Sequence, residues 1–186
     1  GNNPCPLEGS NQLNFNLIDS PNCQTISLQN NSTDPFTNLS VYWGDNTNEN
    51  IQNTTINHFY PDEVNTYNIW LYGYYIHSIT NNLCYVQQNF QHSVPMYARF
   101  DAAAACLGDA WSFADRSFHV PTTSITSWTW NFGDGTGPIS GTDSLTHIYT
   151  EAGSYPVTLT VSNGECSDTR TQFVQVQPLP QLAISL

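Results

Sequence analysis

One phrase constrains this chain more than any other: Trp128-Thr129-Trp130-Asn131-Phe132-Gly133-Asp134-Gly135. Trp128, Trp130 and Phe132 alternate with polar residues, so a β-strand sends all three to one face. Gly133-Asp134-Gly135 follows at once and can adopt the positive φ of a tight turn. His147-Ile148-Tyr149 comes next, and then Tyr155 to Val161 alternates with its apolar side chains at odd positions. The pattern predicts strand, tight turn, loop and strand, with the large residues of both strands in one core. A worn copy of the phrase, Val41-Tyr42-Trp43-Gly44-Asp45-Asn46, precedes His58-Phe59-Tyr60 and Tyr67 to Leu71. Asp45 and Asp134, His58 and His147, and Tyr60 and Tyr149 are each 89 residues apart. A repeat of about 85 residues is the size of one β-sandwich, so the chain reads as two tandem modules.

The order Trp130 to Gly135, then His147 and Tyr149, then Gly153, Tyr155 and Val157, resembles the polycystic kidney disease (PKD) domain over roughly residues 97 to 177. That family is an immunoglobulin-like β-sandwich marked by Trp-x-Phe-Gly-Asp-Gly, His-x-Tyr and Gly-x-Tyr-x-Val. The resemblance implies an all-β chain of two tandem PKD-type sandwiches. The expected layout is a lead-in at 1–11, a degenerate PKD-like module at 12–95 and a PKD module at 96–178. Residues 179–186 would be a linker or the first strand of a following unit, because Pro95 and Pro178 stand 83 residues apart, one period again. The family usually has Asp at the position of Asn131, and some of its members bind calcium near this end. Asp134 is therefore the calcium candidate, with Asn131, Asp143 and Asp168 as further oxygen donors. The competing expectation is that Asp134 caps its own turn.

Charge narrows the class of partner. The chain has 15 acids, three bases and no lysine, for a formal net charge of −12. Nothing here neutralises nucleic-acid phosphate or an anionic membrane surface. Five cysteines without a Cys-x-x-Cys pair argue for an oxidising exterior rather than zinc. Cys23 and Cys106 are 83 residues apart, and Cys84 and Cys166 are 82 apart. This equal spacing predicts Cys23–Cys84 and Cys106–Cys166 bonds, each closing a loop of about 60 residues and stabilising a module by roughly 4 kcal/mol. Cys5 is left over.

The chain shows no nucleophile elbow, no phosphate-binding glycine loop and no paired acids, so it is not read as an enzyme. The histidines at 58 and 147 precede equivalent tyrosines, where packing or a bond to the neighbouring loop explains them. The sharpest functional signal is in the first module. Alternation puts Trp70, Tyr72 and Tyr74 on the outer face of their strand, and Tyr42 beside them, where the second module has only threonine and asparagine. Such a patch marks a binding surface for sugar or protein, unless the polar loop from Thr47 to Thr55 or the adjacent module covers it. Asp143-Ser144-Leu145 resembles a short bacterial O-glycosylation signal at Ser144.

The reading expected from these features is a non-catalytic structural or adhesive segment of an extracellular, cell-surface repeat protein. The resemblance extends to modules strung along large bacterial surface adhesins, the gliding-motility type among them. It would space domains and contact neighbouring modules, other subunits or carbohydrate. The alternative is an accessory PKD pair of a secreted chitinase or protease. What flanks the segment discriminates the two: more repeats or a catalytic domain.

Overall fold

The computed structural model describes residues 12–33, 36–61 and 63–180. The chain divides into two units, Gly1–Val94 and Pro95–Leu186. Unit 1 contains β1 (Phe15–Asp19), β2 (Thr25–Asn30), β3 (Asn38–Tyr42), β4 (Asn48–Asn50), β5 (Thr55–Phe59), β6 (Asn65–Ile76) and β7 (Leu83–Val94). They form two antiparallel sheets, ordered β1-β2-β5 and β4-β3-β6-β7. Unit 2 contains β8 (Met96–Tyr97), β9 (Phe100–Ala103), β10 (Ala110–Asp115), β11 (Phe118–His119) and β12 (Ser127–Asn131), then β13 (Ile139–Ser140), β14 (Ser144–Ile148), β15 (Gly153–Ser162) and β16 (Ser167–Val176). Its sheets are β14-β10-β9 and β13-β12-β15-β16, and β8 pairs with β11 in a separate ribbon. The plans coincide: β9, β10 and β14 repeat β1, β2 and β5, while β12, β13, β15 and β16 repeat β3, β4, β6 and β7. Each unit is an immunoglobulin-like β-sandwich. Leu182 to Ser185, the suspected strand of a following unit, lie outside the described residues.

Alternation sets the two faces. On β6, Tyr67, Ile69, Leu71, Gly73 and Tyr75 are buried, while Asn68, Trp70, Tyr72 and Tyr74 are more exposed. Gly73 is a packing requirement: a Cβ there would lie 2.8 Å from Leu13 Cδ2 and from the Phe36 ring. Unit 1 closes its core with Ile26, Leu28, Val41, Trp43 and Tyr60. Unit 2 uses larger rings. Phe113 lies 5.0 Å from Phe132 and 6.0 Å from Trp130, and Phe100 lies 5.2 Å from Trp130, measured between ring centroids. The Trp130 indole N–H donates to the Thr142 carbonyl at 3.0 Å, so its burial leaves no orphan donor.

One sequence expectation is refined. The stretch 47–55 is not a free loop, because β4 pairs with the edge of β3. In unit 2, Ala102 and Ala103 end β9, opposite Phe113 and Ser112. Small residues suit that position, since they extend a strand whose partner carries the bulk.

The sulfur pairing is corrected. Cys106 is a free, exposed thiol, whereas Cys23, Cys84 and Cys166 are disulfide-bonded. The Cys106–Cys166 bond is therefore absent. Cys23 and Cys84 also stand at opposite ends of unit 1. The Gln24 carbonyl accepts the Tyr60 N–H at 2.8 Å, and the Tyr60 ring stacks on Tyr67 at 4.0 Å, so Cys23 sits at the Tyr67 end. Cys84 is opposite Tyr75 across the β6–β7 hairpin. From Tyr67 to Tyr75 is roughly 26 Å of strand at about 3.3 Å per residue, and a disulfide needs Cα atoms within about 7 Å. Unit 2 has the same layout. The Gly108 N–H bonds the Tyr149 carbonyl, which puts the Cys106 loop at the Tyr149 end, while Cys166 lies in the β15–β16 turn at the other. Each bonded sulfur is thus linked to something other than its repeat-spaced partner. Cys5 lies outside the described residues.

Two expectations follow. A maleimide applied to the folded chain labels Cys106, while Cys23, Cys84 and Cys166 react only after reduction; labelled peptides read by mass spectrometry check this. The second concerns the turn. Gly133 has φ of 74°, and a Cβ there would meet Pro156 Cδ and its carbonyl oxygen at 2.7 Å, whereas Gly135, at φ 87°, opens onto free space. Gly135→Ala should cost about 1–2 kcal/mol for the left-handed backbone alone, and Gly133→Ala clearly more, in urea unfolding of the whole chain.

Candidate functional site

The outer face of the β4-β3-β6-β7 sheet carries the aromatic patch. Residues directly opposite in an antiparallel ladder share a face. Tyr42 is opposite Trp70, and Trp70 is opposite Asn89. One step along, Ser40 is opposite Tyr72, and Tyr72 is opposite Gln87. A further step puts Tyr74 opposite Tyr85. Tyr42, Trp70 and Tyr85 are 45, 37 and 45% exposed, so the face is open within its own unit. The edge strand β4 lies beside these rings in the sheet and not across them.

The rings brace one another. Tyr42 meets Tyr72 edge to face at 5.6 Å, and Tyr72 lies 6.5 Å from Tyr74 and 6.0 Å from Tyr85. Tyr74 and Tyr85 are 6.3 Å apart. Between Tyr42, Trp70, Tyr72 and Tyr74 lies a shallow cleft of about 280 Å³. All four residues picked from the sequence border it. Tyr85 was missed: alternation with buried Cys84 gives its face, but only the hairpin register sets it opposite Tyr74.

At the ladder positions of Tyr42, Trp70, Tyr72 and Tyr74 unit 2 has no rings, although Phe173, opposite Pro156, is exposed further along that face. Asn131 is opposite Thr158, which is opposite Thr171, and Thr129 is opposite Thr160, which is opposite Thr169. The hydroxyls bond across the ladder, Thr158 to Thr171 at 3.1 Å and Thr160 to Thr169 at 2.9 Å. That surface satisfies itself, and the aromatic one does not.

A second constellation occurs in both units. His147 lies flat on Phe132 at 4.0 Å, meets Tyr149 edge-on, and places Nε2 2.6 Å from Asp134 Oδ2. His58 repeats this with Trp43 at 4.5 Å, Tyr60, and Asp45 Oδ2 at 2.8 Å. The tyrosine hydroxyls donate back, Tyr149 to the Phe132 carbonyl at 3.2 Å and Tyr60 to the Trp43 carbonyl at 2.9 Å. Burial, and then the nearby aspartate charge, push both phenols far above the ordinary tyrosine range, so they stay neutral donors.

Residues 93–178 match the PKD domain family. Unit 2 is a PKD domain. Among solved structures, the PKD1 domain of Vibrio anguillarum Epp is 28% identical, covering 46% of this chain and 96% of that one at a TM-score of 0.41. The fibronectin(III)-like modules of Clostridium thermocellum CbhA are 12% identical, covering 94% and 100%, at a TM-score of 0.35. No curated protein matches the chain. PKD and immunoglobulin-like modules are typically non-catalytic structural and contact-making units, and disulfide-bonded cysteines fit an oxidising environment.

Within the PKD domain, Asp134 is committed to its own turn. Its Oδ1 accepts the Thr136 N–H at 3.1 Å and hydroxyl at 2.7 Å, while Oδ2 faces His147. Asn131 Oδ1 accepts the Gly133 N–H at 3.0 Å. Asp168 sits toward the other end of the sheet, opposite Val161, and its Oδ2 accepts the Ala98 N–H at 2.6 Å. The oxygens suggested for calcium are therefore not brought together. Among the described residues no group of three or more His, Cys, Asp and Glu side chains is placed to hold a metal ion. Ser144 is exposed at the start of β14.

Burial alone would raise the carboxyls of Asp45 and Asp134. Hydrogen bonds from Thr47 and His58, and from Thr136 and His147, outweigh it and hold both below the ordinary aspartate value. A carboxyl depressed by folding adds stability above its unfolded pKa and loses it as pH falls through the folded one. Urea midpoints should therefore drop as pH falls below about 4. Asp134→Asn should lower the neutral-pH midpoint and flatten the acid slope of the PKD domain.

Proposed function

We propose that the pair is a non-catalytic contact and spacing segment of a secreted or cell-surface repeat protein, an adhesin or a surface filament. The observation that carries this reading is the contrast between the two outer faces. Both units have the same strand plan, yet where one face carries a hydroxyl ladder and a single exposed ring, Phe173, the other carries a cluster of five rings. A sandwich that only spaced its neighbours would gain nothing from exposed Tyr42 and Trp70, because exposed rings cost solubility. Their place at the centre of a rigid four-stranded sheet suits a contact surface, where aromatic anchors supply most of the binding energy. The net charge of −12 keeps the remainder of the surface from non-specific contact. Partners are then neighbouring modules, other subunits or carbohydrate, outside the cell.

The test uses beads coated with the whole chain, flowed over films of cellulose, chitin and serum albumin. The comparison is Tyr42→Asn/Trp70→Thr/Tyr72→Thr, which installs the residues unit 2 has at the same ladder positions and so leaves the sheet intact. Retention on at least one film should fall about tenfold or more in the variant. Retention that is absent on every film, or equal for both proteins, sinks the reading.

A further inference from the structure

We infer that the ligand of the aromatic face is a neutral saccharide chain, lying across Tyr42, Trp70 and Tyr72. The inference rests on the contact reading above and names the chemistry of its occupant.

The first observation is the frame around the rings. Asn48 and Asn89 flank the Tyr42–Trp70 row, and Asn50 and Gln87 flank the Ser40–Tyr72 row. All four amides are exposed. An amide offers both a donor and an acceptor, as each sugar hydroxyl requires. Ring faces carry the negative side of the aromatic quadrupole and attract the weakly positive C–H face of a pyranose. Flat rings edged by amides and phenols therefore match a pyranose on both its apolar faces and its hydroxyl rim.

The second observation is the absence of charge. Glu49 is the one acid in the four strands of this sheet, and its Oε1 accepts the buried Trp43 indole N–H at 3.0 Å. It is turned toward the core. The three bases, Arg99, Arg116 and Arg170, all belong to unit 2. An anionic polysaccharide would meet a strongly acidic chain with no cation on the face, and a cationic partner would find no acid there. The surface selects against both signs.

The third is scale. The cleft of about 280 Å³ is bounded by rings at mixed tilts. That is near the lower end of small-ligand sites, about 300 Å³. Trp70, Tyr72 and Tyr74 step along β6 by about 6.6 Å per pair of residues, a spacing that offers consecutive sugars consecutive rings.

The experiment titrates the whole chain with cellohexaose, chitohexaose, laminarihexaose, xylohexaose and an alginate hexamer, followed by calorimetry. At least one neutral hexasaccharide should saturate with Kd between about 10 μM and a few mM, and the alginate hexamer should bind at least about tenfold more weakly. Trp70→Thr should weaken the neutral ligand at least about tenfold while the urea midpoint holds, since Thr158 fills the same ladder position in unit 2. Binding of no neutral hexasaccharide overturns the inference, and so does equal binding of alginate or indifference to Trp70→Thr. If beads hold to albumin through the aromatic face while no saccharide binds, this inference fails and the contact reading survives. If neither occurs, both fail.

Discussion

The structure depends on one small interaction made twice: a histidine ring laid flat on a core aromatic and tethered to the aspartate of a glycine turn. The turn brings Asp134 back over the end of its own strand, where its carboxylate meets His147. The adjacent Tyr149 then returns its hydroxyl to the Phe132 carbonyl. One strand end, one turn and one strand of the opposite sheet are thereby locked at a single point. Asp45, His58 and Tyr60 do the same for unit 1. The lock explains why the 89-residue spacing survives where most other residues have changed. Each member is fixed by two partners, so drift at one position costs several bonds at once.

The alternation that fills the core also creates the candidate site. Because side chains on a strand point alternately to either face, every buried residue of β6 implies an outer neighbour. The core demands Ile69 and Leu71; it makes no demand on Trp70 and Tyr72. Unit 2 shows that threonine serves at those places without harm to the sheet. The rings of unit 1 are therefore not explained by folding, and that freedom is why they bear on function.

What could be read from the sequence follows the same division. Strand faces, the tandem plan, the turn glycines and four of the five outer rings were legible because each rests on a period of two or on a local phrase. Tyr85 escaped because it depends on hairpin register, and β4 because three short polar residues pair only by lying against β3. The sulfur pairing failed for a geometric reason. Equal spacing between repeats is satisfied as well by cysteines at opposite ends of each sandwich as by cysteines in contact. Sequence distance along a β-sheet carries no information about which end a residue occupies until the strand directions are known.

That error has a consequence for how the modules are stabilised. The predicted Cys106–Cys166 bond is absent although Cys23, Cys84 and Cys166 are bonded, and unit 2 fills its core with larger rings: Trp111, Phe113, Trp130, Phe132 and Tyr149 take the places of Ile26, Leu28, Val41, Trp43 and Tyr60. Unit 1 buries smaller side chains at three of those five positions and puts its surplus rings outside. The same total of aromatic residues could have deepened one core; here part of it faces solvent on a sheet whose neighbours are amides. A chain under selection for stability alone would place that surface inside, where each ring contributes about 1.5–3 kcal/mol. Its position on the outer sheet is the reason the proposed ligand is assigned to the first unit and not to the better-matched PKD domain.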